Sequence, residues 1–123
     1  MNDIDWTSPA EAALGLARVV STWRSHLERA QASRERAVEL RTTGSPPPAG
    51  VSATDWGAFP DLLDVQSGEW DAAAAADADE FREAAAQAIA GGRLTRAHAS
   101  QLTAAQTLDE ADAAVTALKR EVF

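Results

Sequence analysis

The chain has 123 residues, no cysteine and a formal net charge of −8. Its length suits one modest domain, and the lack of cysteine excludes disulfides and thiolate metal sites. The apolar fraction is 46%, but about half of it is alanine, so few large side chains are available to build a core.

No stretch reaches the roughly eighteen apolar residues that a membrane span needs, and the first residues contain no apolar signal segment. We therefore expect a protein of the cytoplasm, or of a phage particle assembled there, without a membrane partner. Arginine outnumbers lysine ten to one. That bias is typical of high-GC coding sequence and favours a bacterial or phage source.

A long N-terminal helix is predicted over residues 9–43, because both of its ends carry signals. Ser8 and Glu11 form an S-x-x-E capping box, and Pro9 occupies the first helical position, where proline is favoured. Gly44 can adopt the left-handed conformation that often follows a helix.

One apolar stripe runs along this predicted helix. Its residues recur at steps of three and four: Leu16, Val20, Trp23, Leu27 and Ala30. Arg34 and Arg41 fall on the continuation of the stripe. We therefore expect the outer third of the helix to be solvated, or to pack against another chain through the stems of its arginines.

A proline-rich linker is predicted next, followed by an acidic and aromatic segment, together covering residues 45–66. The prolines at 46–48 favour an extended polyproline conformation. Pro60 could open one helical turn, since proline is tolerated at a helix start. The rest of the segment is interpreted as ordered loop.

Three shorter helices are predicted in residues 67–123. Gly91 and Gly92 end the first, Thr95 is a plausible N-cap for the second, and Thr107 with Glu110 forms a capping box for the third. Their expected ranges are about 69–90, 96–105 and 108–122. The sequence therefore predicts a single all-α domain over residues 1–123, with one long helix, a linker and a compact three-helix unit.

Catalytic and metal-binding patterns are poorly represented. His26 and His98 lie on different predicted helices, and neither is near a nucleophile pattern. The acidic cluster around Asp77 and Glu83 lacks the histidine spacing of a di-metal carboxylate site and the glycine of a calcium loop. We therefore expect no enzyme, cofactor or metal. A small enzyme or ligand carrier would need a pocket with convergent polar groups.

The charge is uneven along the chain, because residues 45–92 contain nine acids and only one basic residue. A helix-turn-helix reading of the last two helices would place acids where DNA phosphates lie, so no nucleic-acid partner is expected. An alternative function is an acidic inhibitor or regulator of a nucleic-acid-binding target. It would act through the face of the helix at 69–83 that carries Glu69, Asp79, Glu80 and Glu83.

Protein recognition is the function that the sequence favours. Three of the four tryptophans follow an acid directly, and aromatic anchors flanked by acids are a common way for a segment to dock a basic-rimmed groove. We expect a structural, adaptor or assembly protein that contacts another protein or itself, through these residues: Trp56, Phe59, Leu62, Leu63, Val38 and Leu40. The alternative for Trp56 and Phe59 is that they cover the small core from the linker side.

Overall fold

The computed structural model describes residues 4–123, and every regular element in that range is an α-helix. The bounds are α1 Pro9–Thr43, α2 Ala53–Ala90, α3 Arg96–Ala104 and α4 Leu108–Val122. The predicted all-α fold is confirmed. The bounds of α1, α3 and α4 agree with the sequence to within a residue, whereas α2 is much longer than predicted.

The start of α1 is fixed by local hydrogen bonds. The Ser8 hydroxyl accepts from the Glu11 N–H at 3.4 Å, which is one half of the predicted capping box. The other half of the box, a hydrogen bond from the Ser8 N–H to the Glu11 carboxylate, is replaced by one from the Ser8 N–H to the Asp5 carbonyl at 3.0 Å. The chain before the helix is therefore tied back by a turn.

The two short helices begin where the sequence predicts. The Thr95 hydroxyl accepts from the His98 N–H at 3.2 Å and caps α3. Thr107 and Glu110 form the complete capping box of α4, with reciprocal hydrogen bonds of 3.2 and 3.1 Å.

The prediction for residues 45–66 was wrong in part, because α2 begins at Ala53 instead of near residue 69. The Ser52 hydroxyl accepts from the Asp55 N–H at 3.0 Å, so Ser52 caps this helix. Pro60 lies inside α2, where it removes one backbone hydrogen bond. The sequence alone predicts a helix start at this proline, and the packing of α2 overrides that local preference.

The connection between α1 and α2 is correspondingly short. Gly44 ends α1 with a φ of +60°, and Gly50 has a φ of +84° in a turn that the Val51 N–H closes onto the Pro48 carbonyl at 3.1 Å. Only glycine adopts such positive φ values without cost.

The chain divides into two compact units. Unit 1 comprises Met1–Arg24 with Ala75–Phe123, and unit 2 is Ser25–Ala74. Unit 1 therefore contains the first part of α1 as well as the three downstream helical segments.

The core of unit 1 is built mainly from alanine, with a few large side chains. Trp23 and Phe81 meet at a ring-centroid distance of 6.2 Å. Other fully or nearly fully buried residues are Ala12, Ala13, Leu16, Val20, Ala84, Ala85, Ala88, Leu102, Ala111, Ala114, Val115 and Leu118. Small side chains let helices approach closely, so this core is compact although it has few bulky residues.

Unit 2 pairs the end of α1 with the start of α2 in an antiparallel arrangement. The buried residues on α1 recur at steps of three and four: Ala30, Ser33, Ala37 and Leu40. Those on α2 are Pro60, Leu63, Ser67 and Ala74, and the half-buried Trp70 lies between the last two at the same spacing. This is the narrow seam of a coiled coil. Its cluster of large buried residues is small, consisting of Leu40 and Leu63 around Ala37.

The stripe on α1 therefore differs from the predicted one. The buried line passes through Ser33, Ala37 and Leu40, and Arg34 and Arg41 lie beside it. The sequence pattern missed this because Ser33 is polar. The outer third of α1 is thus packed within the chain, against residues 53–74.

Candidate protein-contact surface

Two of the six predicted contact residues belong to the core of unit 2. Leu40 is 7% exposed and Leu63 is 9% exposed, and both pack with Ala37. Their side chains are already covered by this chain, so they offer no surface to a partner.

Trp56 and Phe59 cover that core. Their rings stack at a centroid distance of 5.4 Å, and both are half-buried against the cluster of Leu40 and Leu63. The Trp56 Nε1–H donates to the Ser45 carbonyl at 2.8 Å, which ties the start of α2 to the connecting loop. This arrangement matches the alternative considered for the two aromatic residues.

The remaining two predicted residues are exposed. Val38 on α1 is 61% exposed and Leu62 on α2 is 62% exposed. Val65, one turn after Leu62 on the same helix, is also 61% exposed. Val65 is not among the contact residues predicted from the sequence, although it falls in the helical turn expected after Pro60. Its i, i+3 spacing from Leu62 makes the two side chains neighbours on one face of α2. We call Leu62 and Val65 the α2 apolar patch.

Acidic side chains neighbour this patch along α2. Asp61 and Asp64 both accept from the Arg41 guanidinium, at 2.7 and 2.6 Å. The hydrogen bonds from Arg41 to Asp64 and then Asp61 raise the pKa of Arg41 above its ordinary value. Asp61 remains 82% exposed despite this contact, so its carboxylate is also open to a partner.

A second group of polar contacts links the helices of unit 2 further along the seam. Arg34 donates to the Ser67 hydroxyl at 2.9 Å and to the Asp71 carboxylate at 2.8 Å. The buried Ser33 hydroxyl donates to Gln66 at 3.2 Å. Polar groups within a coiled-coil seam favour one register over others.

Val38 lies in a shallow depression on α1. The depression has a volume of about 480 Å³. Its other lining residues are Arg34, Glu35, Glu39, Thr42 and Thr43. Val38 is thus one aliphatic side chain within a charged and polar surface.

The histidines serve in packing contacts. The His26 ring stacks on Trp70 at 5.4 Å, and the guanidinium of Arg29 lies 5.0 Å from the centre of the same indole. His98 Nε2 contacts the Glu121 carboxylate. No group of three or more acidic or histidine side chains among residues 4–123 is arranged to hold a metal ion.

The acidic face proposed for an inhibitor is partly neutralised. Asp79 accepts from Arg82 at 2.7 Å, one turn along α2. Glu69, Glu80 and Glu83 are exposed. Mimicry of nucleic-acid phosphate by this face stays a prediction.

The chain matches no protein-family model, no curated protein and no solved structure. Within residues 4–123, none of the helices has the length and apolar character to cross a membrane.

Proposed function

We propose that this protein is a non-catalytic protein-interaction component, structural, adaptor or assembly in type, and that unit 2 carries its contact surface. The observation that supports this most strongly is the α2 apolar patch, where two neighbouring aliphatic side chains on one helix are each more than 60% exposed. Single exposed aliphatics are ordinary, whereas contiguous exposed apolar surface with a polar rim marks interaction sites.

The small core of unit 2 supports the same proposal. Each of its two buried leucines contributes about 1.5–3 kcal/mol, and most of the seam consists of alanine and serine. Helices gain most of their stability by packing an apolar face. A partner that covers Leu62 and Val65 would bury area that this chain leaves in water, worth about 2–4 kcal/mol for the pair.

The partner is another protein or a second copy of this chain. The part of α2 within unit 2 contains five acids and no basic residue. A partner with basic residues at the rim of an apolar groove would therefore complement it.

Light scattering over a wide concentration range, with capture from a lysate of the source organism, tests the proposal. A Leu62→Gln, Val65→Gln variant should lose self-association or capture while keeping its helix content. Leu14→Gln is the matched control, because Leu14 is 52% exposed in unit 1. A wild-type protein that stays monomeric and captures nothing, or a double variant that binds like wild type, contradicts the proposal.

A further inference from the structure

Unit 1 contains a cleft that is separate from the proposed contact surface. It has a volume of about 410 Å³, within the roughly 300–1,000 Å³ of ligand sites. One side is formed by residues 15–22 of α1 and another by residues 80–87 of α2. Ile4 and Trp6, from the segment before α1, also line it.

The segment that carries Trp6 is held closely by two glycines. A Cβ atom at Gly15 would lie 2.6 Å from the Ile4 Cδ1 and 2.9 Å from the Trp6 ring. A Cβ atom at Gly91 would lie 2.7 Å from the Trp6 carbonyl oxygen. A larger residue at Gly15 would press on the Ile4 and Trp6 side chains, and one at Gly91 would press on the backbone of Trp6 and Thr7. Trp6 is therefore fixed as an aromatic wall, and its indole is only half-buried.

The charges in the cleft are negative in balance. Glu80 and Glu83 lie one turn apart on α2, and Arg18 lines the cleft from α1. Within residues 4–123, neither carboxylate accepts a hydrogen bond or forms an ion pair, and the Arg18 guanidinium is not within 4.0 Å of either. The cleft therefore holds two carboxylates, Glu80 and Glu83, that form no ion pair in that part of the chain, and one basic side chain, Arg18.

We propose that this cleft binds an arginine side chain of a partner protein. Its guanidinium would pair with Glu80 and Glu83, and its flat face and aliphatic stem would lie on Trp6 and Ile4. A guanidinium suits these neighbours, because it donates to carboxylates in a planar fork and stacks on aromatic rings. Arginine fits better than lysine, whose compact and strongly hydrated ammonium gains less from an aromatic wall. Arg18 opposes the binding through its like charge.

Titration of the full chain, labelled with ¹⁵N, tests this site. The probe is an acetylated and amidated Ala-Arg-Ala peptide, and the control peptide replaces arginine with citrulline, which keeps the shape but removes the charge. The arginine peptide should move the indole N–H resonance of Trp6 and the side-chain amide resonances of Gln87. The citrulline peptide should not, and added salt should weaken the effect because the carboxylates are exposed.

Substitutions of exposed charged residues test how much each charge contributes to the peptide affinity, and they should leave the fold intact. Glu80→Gln and Glu83→Gln should each weaken the arginine peptide about two- to fivefold, as expected for solvated ion pairs. Arg18→Gln should tighten it by a similar factor. Glu69→Gln, outside the cleft, should leave the affinity unchanged.

Three outcomes overturn the assignment: an unmoved Trp6 resonance at saturating peptide, equal binding of the citrulline peptide, or weaker binding by Arg18→Gln. None of them bears on Leu62 and Val65, so failure here is distinguishable from failure of the proposed function.

Discussion

Replacing Gly15 with alanine sets two effects of opposite sign against each other. Inside a helix this change is worth about 1 kcal/mol in favour of folding. At Gly15, however, the new methyl would lie 2.6 Å from the Ile4 Cδ1 and 2.9 Å from the Trp6 ring. Overpacking of this kind costs typically about 1–3 kcal/mol. We expect Gly15→Ala to be neutral or to destabilise the protein by up to about 2 kcal/mol.

Gly68 is the matched control, because it lies inside α2 and a Cβ there would meet nothing within 4 Å. Gly68→Ala should therefore show the helix gain alone, about 1 kcal/mol of added stability. The quantity of interest is the difference between the two variants, expected to be about 1–3 kcal/mol.

Urea unfolding followed by far-UV circular dichroism and tryptophan fluorescence measures both variants. Ile4→Ala removes the closest atom, so the cost of Gly15→Ala should fall by about 0.5 kcal/mol or more in that background, as contacting residues couple. Equal stabilisation by Gly15→Ala and Gly68→Ala, or no coupling to Ile4, would refute the close packing of residues 4–8 on α1.

Three further predictions concern other positions. Gly91→Ala should destabilise by about 1–3 kcal/mol in the same assay, since its Cβ would meet the Trp6 carbonyl oxygen at 2.7 Å and backbone cannot rotate away; a stabilised variant would contradict this. Pro60→Ala restores an N–H that can donate to the Trp56 carbonyl one turn earlier, and this gain is at most about 3 kcal/mol. The packing energy of the buried proline ring is lost and reduces the gain, but we expect a net increase in stability. A decrease would contradict this prediction. Hydrogen bonds from the Gln106 N–H, the Thr107 hydroxyl and the Thr107 N–H lower the pKa of Glu110 below its ordinary 4.5. Because the folded pKa is the lower one, this stabilisation is present above about pH 4.5 and is lost as the pH falls through the folded pKa. The stability advantage of wild type over Glu110→Gln should therefore shrink in acid, and an advantage independent of pH would refute the assignment.

The candidate contact surface could be predicted only in part. Of the predicted aliphatic residues, Val38 and Leu62 are exposed and Leu40 and Leu63 are buried, and the exposed Val65 was not predicted. All five are aliphatic, and composition cannot tell which of them faces a neighbouring helix. Once residues 53–68 are helical, the three- and four-residue spacing assigns Leu63 to the seam and Leu62 and Val65 to the outside.

Signals within a few residues of each other explain what the sequence predicted well. The caps at Ser8, Thr95 and Thr107 and the left-handed Gly44 depend on hydrogen bonds and backbone angles inside one turn, so the ends of α1, α3 and α4 could be recognised. The Ser52 cap of α2 is just as local, because the Asp55 N–H donates to the Ser52 hydroxyl three residues earlier. Ser52 could therefore have been recognised in the sequence as a helix start.

The sequence by itself determined the helical class, most helix ends and the concentration of acid in residues 45–92. Only the tertiary structure decided that α2 continues through Pro60, and that the seam passes through Ser33 while Arg34 and Arg41 lie beside it. The reason is that helix caps are made by neighbours in the chain. A seam between two helices is made by residues far apart in the chain, 20 to 37 positions in the contacts of unit 2, and its burial outweighs the local preferences of proline and serine.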